Sequence, residues 1–443
     1  MSNPRETAVI ILNKVFNERG YSNIIINKEL NKSNLENIDK ALVTEIVYGT
    51  IQYKYTIDKI IDHFVGRGTS SVDKKVVNIL RSAIYQIRYL DKIPSFAVVN
   101  EAVELSKKLS TVTSSKFING VLRNYIRKTN ENFYNKNNLV DRLSFEYSFE
   151  PWMVKKFISQ YGNNIAEKIL KGLNERPSIT VRVNSLKTTF DEAYEELEAL
   201  GYSVEEGVIA PEAIRILKGK SIENNPLFIK GSITVQDESA MIVASALEPS
   251  KDDVIFDMCS APGGKTTHIA ELSEDKSKIK AFDIFDHKLK LIEENIKRLG
   301  ITSIETEIKD ASIHDVLLDD SADKVLIDVP CSGLGIMRKK PEIKYTKNEK
   351  DLKELVKIQR DIMRNAAKYV RKGGVLVYST CTLNLEENQE NIRWFLDRHE
   401  DFMVEKVDFG KGENLIYGKD NTLTILPNKY MDGFFIAKLK RIQ

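Results

Sequence analysis

One stretch decides the fold, Val254-Ile255-Phe256-Asp257-Met258-Cys259-Ser260-Ala261-Pro262-Gly263-Gly264-Lys265-Thr266-Thr267. Three apolar residues, a carboxylate, a turn of small residues and the helical run 268–272 predict a strand, a tight loop and a helix. In an α/β sheet such a loop lies beyond the carboxyl end of its strand, and the next helix directs free N–H groups towards a bound ligand. The two glycines let that ligand approach the backbone closely. The stretch therefore predicts a ligand site.

The spacing around this loop narrows the ligand to a nucleoside without a bound pyrophosphate. A phosphate-binding loop of the G-x-x-x-x-G-K-[ST] type would need a glycine where Cys259 stands, and the dinucleotide pattern G-x-G-x-x-G is also absent. Asp283 closes the next apolar run about 20 residues after the glycines, a spacing that suits a ribose hydroxyl pair. S-adenosylmethionine fits these features, and a glycine-rich turn in another α/β sheet is the alternative.

Length and composition bound the class of protein. A chain of 443 residues predicts two or three domains, and 42% hydrophobic with 29% charged residues is typical of a soluble protein. No apolar stretch approaches the length of a membrane span, and the amino terminus lacks a secretory signal. Three cysteines, Cys259, Cys331 and Cys381, predict no disulfide framework and favour a reducing cytoplasm. No Cys/His cluster has zinc spacing, so no metal is expected.

The net charge of +2 is unevenly distributed along the chain. Residues 1–130 contain 20 Lys and Arg against 12 Asp and Glu. This excess is consistent with a polyanionic partner, but charge alone favours an ordinary solvated surface. Apolar residues recur at helical spacing throughout this segment and predict an all-α domain. Near its end, Lys116, Arg123, Arg127 and Lys128 predict a basic face for RNA phosphates.

Changes in pattern divide the chain into four parts. We expect a helical domain, an Asn- and Lys-rich linker, a small α/β module and a doubly wound α/β domain, over residues 1–130, 131–150, 151–235 and 236–443. In the module, the period-two alternation of Ile179–Asn184 places Arg182 and Asn184 on one face. The strands predicted for the last domain span residues 254–258, 279–283, 303–308, 325–329, 375–379 and 434–439.

Acids and cysteines stand where these strands end. Asp283, Asp310 and Asp328 close three strands, and each could equally be a loop cap. Cys331 follows the fourth strand and Cys381 follows the fifth. Because adjacent strands lie roughly 5 Å apart, we expect both thiols and Asp328 to converge beside the cofactor loop. Two cysteines at matching loop positions favour chemistry, although a free cysteine is more often inert core.

Methylation of an unreactive aromatic carbon would use such a pair of thiols. C5 of cytosine attacks a sulfonium methyl only after a thiolate has added at C6 and made the ring an enamine. The C5 proton and the thiol must leave afterwards, so a second group is useful. A protonated Asp328 would donate to N3 and draw charge from the ring.

Three motifs together resemble the RNA cytosine-C5 methyltransferases: Cys259–Lys265, Asp328–Gly333 and Ser379–Cys381. The amino-terminal third is similar to the RNA-binding antitermination factor NusB, through Pro94–Lys107 and Phe117–Lys128. The resemblance covers essentially the whole chain and also takes in Arg182–Asn184, Gln236–Ala240 and Asp432–Phe435. Ser260 and Val329 stand where the family most often has alanine, and both are of similar bulk.

The resemblance implies a fold, a reaction and a partner. The fold would be multidomain: an all-α NusB-like domain, a small α/β (RRM-like) module and an α/β Rossmann-like S-adenosylmethionine-dependent methyltransferase domain. The enzyme would be a cytoplasmic monomer that methylates cytosine 967 of unassembled or partly assembled 16S rRNA. A non-catalytic rRNA-binding assembly factor is the alternative, as is the same enzyme acting on tRNA or 23S rRNA.

The resemblance also implies residue roles. Cys381 would be the nucleophile and Cys331 would assist product release, while Lys265 and Asp328 would face the target base. The implied S-adenosylmethionine ligands are Cys259, Ser260, Ala261, Pro262, Gly263, Gly264, Lys265, Asp283, Asp310 and Asp328. The expected RNA contacts are Arg182, Asn184, Arg338, Lys339, Lys340, Lys116 and Arg123.

Overall fold

The computed structural model describes residues 3–18 and 20–443. The chain forms two compact units, one of Met1–Asn174 with Met337–Thr346 and one of Glu175–Ile336 with Lys347–Gln443. Within the described ranges, the helices are all too short or too polar to cross a membrane.

The first unit is helical, as predicted. Its helices are α1 (Pro4–Glu18), α2 (Ser22–Lys32), α3 (Asn37–Gln52), α4 (Lys54–Phe64), α5 (Lys74–Tyr89), α6 (Ser95–Leu109), α7 (Val112–Arg127), α8 (Leu139–Tyr147), α9 (Pro151–Gly172) and the later α15 (Ile343–Thr346). The apolar stripes seen in the sequence form its interior, with Ile46 of α3 and Leu80 of α5 fully buried. Asp73 caps α5 by accepting from the backbone N–H groups of Lys75 and Val76.

The structure differs from the prediction of a linker over residues 131–150. Helix α8 forms there, and the Asn138 side chain caps it by accepting from the backbone N–H of Asp141 at 3.0 Å. Leu143 and Phe145 are buried and pack α8 against α4 and α9. A nine-residue helix shows little more than two turns of periodicity, so its short apolar signal is easily missed beside the polar residues that precede it.

A ten-residue segment from the second half of the sequence, Met337–Thr346, completes the helical unit. The Lys344 ammonium is buried in this unit and donates to the carbonyl oxygens of Gln52 at 3.1 Å and Ser148 at 3.2 Å, and to Asn174 Oδ1 at 2.8 Å. It also lies 3.8 Å from the centre of the Phe149 ring. Burial lowers the pKa of Lys344 well below its usual range.

The second unit begins with a small α/β module at Glu175, whereas the prediction placed its start at residue 151; the intervening helix α9 belongs to the helical unit. Its antiparallel sheet has the strand order β2-β3-β1-β4, in which the strands are β1 (Ile179–Val183), β2 (Ser203–Glu206), β3 (Ala213–Lys218) and β4 (Ile233–Val235). Helices α10 (Phe190–Ala199) and α11 (Pro226–Lys230) belong to the same module. Val181, Leu197 and Ile214 form part of its buried core.

A large sheet forms the rest of the second unit. Its order is β11-β12-β13-β9-β8-β5-β6-β7, with β10 paired to β13. The strands are β5 (Val254–Asp257), β6 (Lys278–Asp283), β7 (Ile304–Ile308), β8 (Ala322–Asp328), β9 (Val370–Thr380), β10 (Phe402–Glu405), β11 (Leu415–Tyr417), β12 (Leu423–Ile425) and β13 (Phe434–Arg441). The helices are α12 (Glu238–Leu247), α13 (Gly264–Leu272), α14 (Asp286–Leu299), α16 (Glu349–Tyr369) and α17 (Gln389–Leu396).

The order of this sheet places the ligand site. Strands β5 to β9 run parallel, and β13 pairs with β9 in the antiparallel direction. The chain moves outward from β5 to β7 and then returns to the other side of β5 for β8 and β9. Ligands bind such sheets at the carboxyl edge beside this switch point, which is where β5 leads into its glycine loop. The six predicted strands all form, with ends shifted by a few residues.

Candidate active site

The glycine loop is held in one shape between β5 and α13. Gly263 precedes α13 with φ +96°, a left-handed conformation that favours glycine. A Cβ at this position would lie 3.1 Å from Ile292 of α14. Ser260 fixes the other side of the loop, because its backbone N–H and its hydroxyl both donate to the Phe282 carbonyl oxygen at 2.9 Å. The loop is therefore tied to β6, the strand that carries Asp283.

Asp257 is a further candidate site residue, which the sequence patterns did not single out. Its Oδ2 accepts from the Thr266 hydroxyl at 2.6 Å, whereas Oδ1 is buried without a hydrogen-bond partner among the described residues. Burial raises the pKa of Asp257 to about 7, and the nearby charge of Asp328 also raises it. An orphaned carboxylate oxygen beside a glycine loop fits the cationic groups of S-adenosylmethionine. The signal in the sequence was an acid closing an apolar strand directly before that loop.

Two further acids lie along the same sheet edge. Asp283 ends β6 and accepts from the backbone N–H of Phe285 at 3.2 Å. Asp310 follows β7 and accepts from the backbone N–H of Ser312 at 2.9 Å and from its hydroxyl at 2.6 Å. These turns orient carboxylates for the hydroxyl and amino groups of a nucleoside. The carboxylates of this sheet edge thus fit S-adenosylmethionine, the cofactor expected from the sequence.

The two thiols meet at the ends of β8 and β9. Cys331 Sγ lies 3.2 Å from Cys381 Sγ, as expected for residues that follow neighbouring parallel strands. The hydrogen bond with Cys381 and burial raise the pKa of the Cys331 thiol well above its usual range. Cys331 therefore favours its protonated form. Burial also raises the pKa of the Cys259 thiol well above its usual range, so this thiol favours its protonated form.

An ion pair joins the cofactor loop to the cysteine loops. The Lys265 ammonium donates to Asp328 Oδ2 at 2.6 Å, and the Ser379 hydroxyl donates to Asp328 Oδ1 at 2.8 Å. Burial lowers the pKa of Lys265, but the charge and hydrogen bond of Asp328 outweigh it and the pKa is raised overall. The arrangement holds a carboxylate beside an ammonium. It differs from the predicted protonated Asp328.

The prediction that Arg182 and Asn184 contact RNA is wrong. Arg182 is fully buried and forms a two-point ion pair with Glu271 of α13, at 2.8 Å through Nε and 2.7 Å through Nη2. Its Nη1 donates to the Gly264 carbonyl oxygen at 2.7 Å and to Gln236. Asn184 is also buried and donates to the carbonyl oxygens of Gly231 and Leu299. The period-two pattern placed both side chains on one face of β1, and that face packs inward.

The remaining basic residues divide into two groups. Arg338 is buried within the helical unit, so the prediction that it contacts RNA is wrong as well. Lys339 is partly buried and Lys340 is exposed in the same segment. Lys116 and Arg123 are exposed on α7, where RNA can reach them.

Comparison with known proteins agrees with this geometry. The chain is 38% identical to the probable ribosomal RNA small subunit methyltransferase B of Bacillus subtilis, over 99% of this chain and 98% of that protein. It is 35% identical to the protein of the same name from Synechocystis, over the full length of both. The chain belongs to the ribosomal RNA small subunit methyltransferase B family. Family descriptions match residues 244–440 (16S rRNA methyltransferase RsmB/F), 2–127 (NusB family) and 149–223 (Methyltr_RsmF/B-like, ferredoxin-like domain).

Solved structures share the fold. The crystal structure of PH0851 is 28% identical with a TM-score of 0.83 and covers 99% of both chains. NSun6 from Pyrococcus horikoshii, solved with SFG, is 28% identical with a TM-score of 0.59, over 66% of this chain and 98% of that one. As the motifs predicted, the protein is an S-adenosylmethionine-dependent RNA methyltransferase.

Breaking the buried Arg182–Glu271 ion pair should lower the free energy of unfolding far more than breaking an exposed ion pair. Arg182→Met leaves the Glu271 carboxylate buried and unpaired, so we expect a loss of roughly 3–5 kcal/mol in the free energy of unfolding of the second unit. Arg182→Met with Glu271→Leu should recover much of this loss. Chemical denaturation measures both variants.

A matched control removes an arginine whose partner is exposed. Arg215→Met breaks the ion pair with Glu205, which is worth about 1 kcal/mol or less. Equal losses for Arg182→Met and the double variant would show that the ion pair has no special role.

Cofactor binding should release a proton from Asp257. The folded protein keeps this proton up to pH about 7, whereas the unfolded chain loses it near the ordinary value of 3.8. Stability contributed by this group is therefore lost as pH rises across that window, and a bound cation reverses the preference by favouring the carboxylate. Titration calorimetry in two buffers of different ionisation enthalpy should show proton release at a pH just below 7.

Asp257→Asn should abolish both the proton release and the fall in stability with pH. The control Asp286→Asn changes an exposed carboxylate at the start of α14 and should leave both unchanged. Proton release that persists in Asp257→Asn would assign it to another group.

Proposed function

We propose that the protein methylates C5 of a cytosine in small-subunit ribosomal RNA, at cytosine 967 of 16S rRNA. The observation that carries the proposal is the pair of sulfur atoms 3.2 Å apart beside the Lys265–Asp328 ion pair. A methyltransferase acting on a nucleophilic nitrogen or oxygen has no use for a thiolate, whereas C5 of cytosine requires one. The names of the curated relatives support the choice of RNA.

The reaction begins with the thiolate of Cys381. It forms a bond to C6 of the cytosine, and the displaced electron pair moves towards N3. The Lys265 ammonium donates to Asp328 Oδ2 at 2.6 Å, and it supplies the proton that N3 accepts as the ring gains charge. Ser379 holds the other Asp328 oxygen and keeps the carboxylate in place.

The second half of the reaction returns the thiol. Bound S-adenosylmethionine, which the glycine loop and the acids at the sheet edge would hold, would supply an electrophilic methyl group to the activated C5. N3 then returns its proton to Lys265, and transfer of the C5 proton to a base restores the C5–C6 double bond and expels the Cys381 sulfur from C6. The Cys331 S–H lies within hydrogen-bond distance of that sulfur, and it stabilises the thiolate as the bond breaks.

RNA reaches the site only if the target base is unstacked, which favours a loop or rRNA not yet assembled into subunits. Helix α7 supports binding of the RNA backbone. Lys116, Arg123 and Arg127 are exposed at positions i, i+7 and i+11 of one face, and the helix contains no acidic residue. Gly120 lies on the same face with open space around it, so phosphates can approach the helix closely.

Cysteine variants test the reaction. With labelled S-adenosylmethionine and unassembled 16S rRNA, the unaltered protein should form 5-methylcytosine. Cys381→Ala should give neither product nor adduct, because the bond to C6 cannot form. Cys331→Ala should trap an RNA–protein adduct that survives a denaturing gel, because release is impaired.

Each other outcome has a distinct meaning. An adduct that appears only with Cys381→Ala would exchange the roles of the two thiols. Tight RNA binding without methyl transfer by the unaltered protein would favour a non-catalytic assembly factor. Methylation of tRNA or 23S rRNA in preference to 16S rRNA would overturn the proposed substrate.

Removing the basic face of α7 should weaken RNA binding. The triple variant Lys116→Ala/Arg123→Ala/Arg127→Ala should raise KM for RNA, leave kcat unchanged and reduce the salt dependence of binding by about 2–3 units of slope. A control variant with the same loss of charge replaces three exposed lysines elsewhere in the helical unit, Lys28, Lys32 and Lys74. Equal weakening by both variants would refute a specific role for α7.

A further inference from the structure

One buried carboxylate near the two thiols has no place in the reaction described above. Glu387 lies six residues after Cys381 and is fully buried. Its Oε1 accepts from the Ser332 hydroxyl at 2.5 Å and from Asn384 Nδ2 at 3.1 Å. Its Oε2 accepts from the Ser332 backbone N–H at 2.9 Å and from Gln359 Nε2 at 2.9 Å. All four donors are neutral, so none of them neutralises its charge.

These bonds join the two cysteine loops to each other. Ser332 follows Cys331 directly, and its hydroxyl also lies 2.7 Å from the hydroxyl of Thr382, which follows Cys381. Gln359 of α16 binds Glu387 and also donates to the carbonyl oxygen of Pro330 at 3.0 Å, on the other side of Cys331. Glu387 therefore binds Ser332, which follows Cys331. Through Gln359 it also holds Pro330, which precedes Cys331.

The chemistry of the carboxylate matters as well as its position. Among the described residues, every partner of the Glu387 side chain donates a hydrogen bond, and a carboxylate alone can accept at both oxygens. A glutamine of the same shape would place an N–H₂ group against donors. A buried charge without a cationic partner is costly, so a purely structural position is better served by a neutral residue.

We propose that Glu387 is a positioning residue which fixes the spacing of the two thiols and assigns the thiolate to Cys381 rather than Cys331. The proposal deepens the proposed function and rests on it. The carboxylate binds the loop of Cys331 directly, and its negative charge opposes a second negative charge on that sulfur. After the hydrogen bond of Cys381 and burial, the charge of Glu387 is among the causes that raise the pKa of Cys331. Cys331 then keeps the proton that it directs at Cys381.

Thiol reactivity of the free enzyme tests this assignment without RNA or cofactor. Iodoacetamide alkylation, followed by peptide mass spectrometry over a range of pH, should show that the unaltered protein reacts first at Cys381. In Glu387→Gln the preference should fall by about tenfold or more, since one pKa unit corresponds to a tenfold change in thiolate fraction. In the RNA assay this variant should lose kcat with little change in KM for S-adenosylmethionine.

Controls separate positioning from folding. Glu390→Gln is the same substitution three residues later, at an exposed position. This variant should match the unaltered protein in both assays. Ser332→Ala removes one Glu387 contact and leaves the charge, so it should lower kcat but keep the alkylation preference. This second variant remains informative if thermal denaturation shows that Glu387→Gln fails to fold.

Two results in these assays would contradict the proposal. A folded Glu387→Gln that keeps the alkylation preference and kcat would overturn the proposal. So would a Ser332→Ala variant whose preference shifts from Cys381 to Cys331, because the charge would then not be the cause. Failure of the proposed function would appear differently, as a normal alkylation preference in a protein that forms no 5-methylcytosine.

Discussion

The second unit depends on the buried ion pair between Arg182 and Glu271. A guanidinium and a carboxylate removed from water are stable only when their hydrogen-bonding groups are satisfied. Here the planar fork of Arg182 reaches both Glu271 oxygens, the Thr267 hydroxyl and the Gly264 carbonyl oxygen. These partners all belong to α13 (Gly264–Leu272), so a strand of the small module fixes the helix that begins at the cofactor loop.

Strand register explains why the reacting groups meet. Asp328 and Ser379 are partners across the parallel strands β8 and β9, and their side chains are joined by a hydrogen bond. Cys331 and Cys381 follow them by three and two residues, which brings the sulfur atoms together at the sheet edge. Lys265 reaches the same edge from the loop after β5, the other neighbour of β8. The segments after β5, β8 and β9 thus bring the glycine loop, the Lys265–Asp328 ion pair and the two thiols together.

Sequence patterns predicted the parts of this architecture that repeat locally. Apolar runs located the strands, and the rule for parallel sheets placed both thiols at one edge. The same patterns could not say which face of β1 is covered, because alternation fixes that Arg182 and Asn184 share a face but not what packs on it. Glu387 was missed for a related reason. Its partner Ser332 is 55 residues distant in sequence, and a carboxylate in a polar loop gives no local sign of burial.

Segment Met337–Thr346 limits how this domain architecture can change during evolution. It belongs to the helical unit although the chain on both sides belongs to the catalytic one, so the polypeptide passes between the units three times. A domain that is attached by a single linker can be gained or lost through one gene fusion or one truncation. Here a cut after Asn174 would leave Lys344 without the carbonyl oxygens of Gln52 and Ser148 that surround its ammonium. Separating the two units by such a cut would therefore require changes in the segment that follows Cys331, where Lys344 lies.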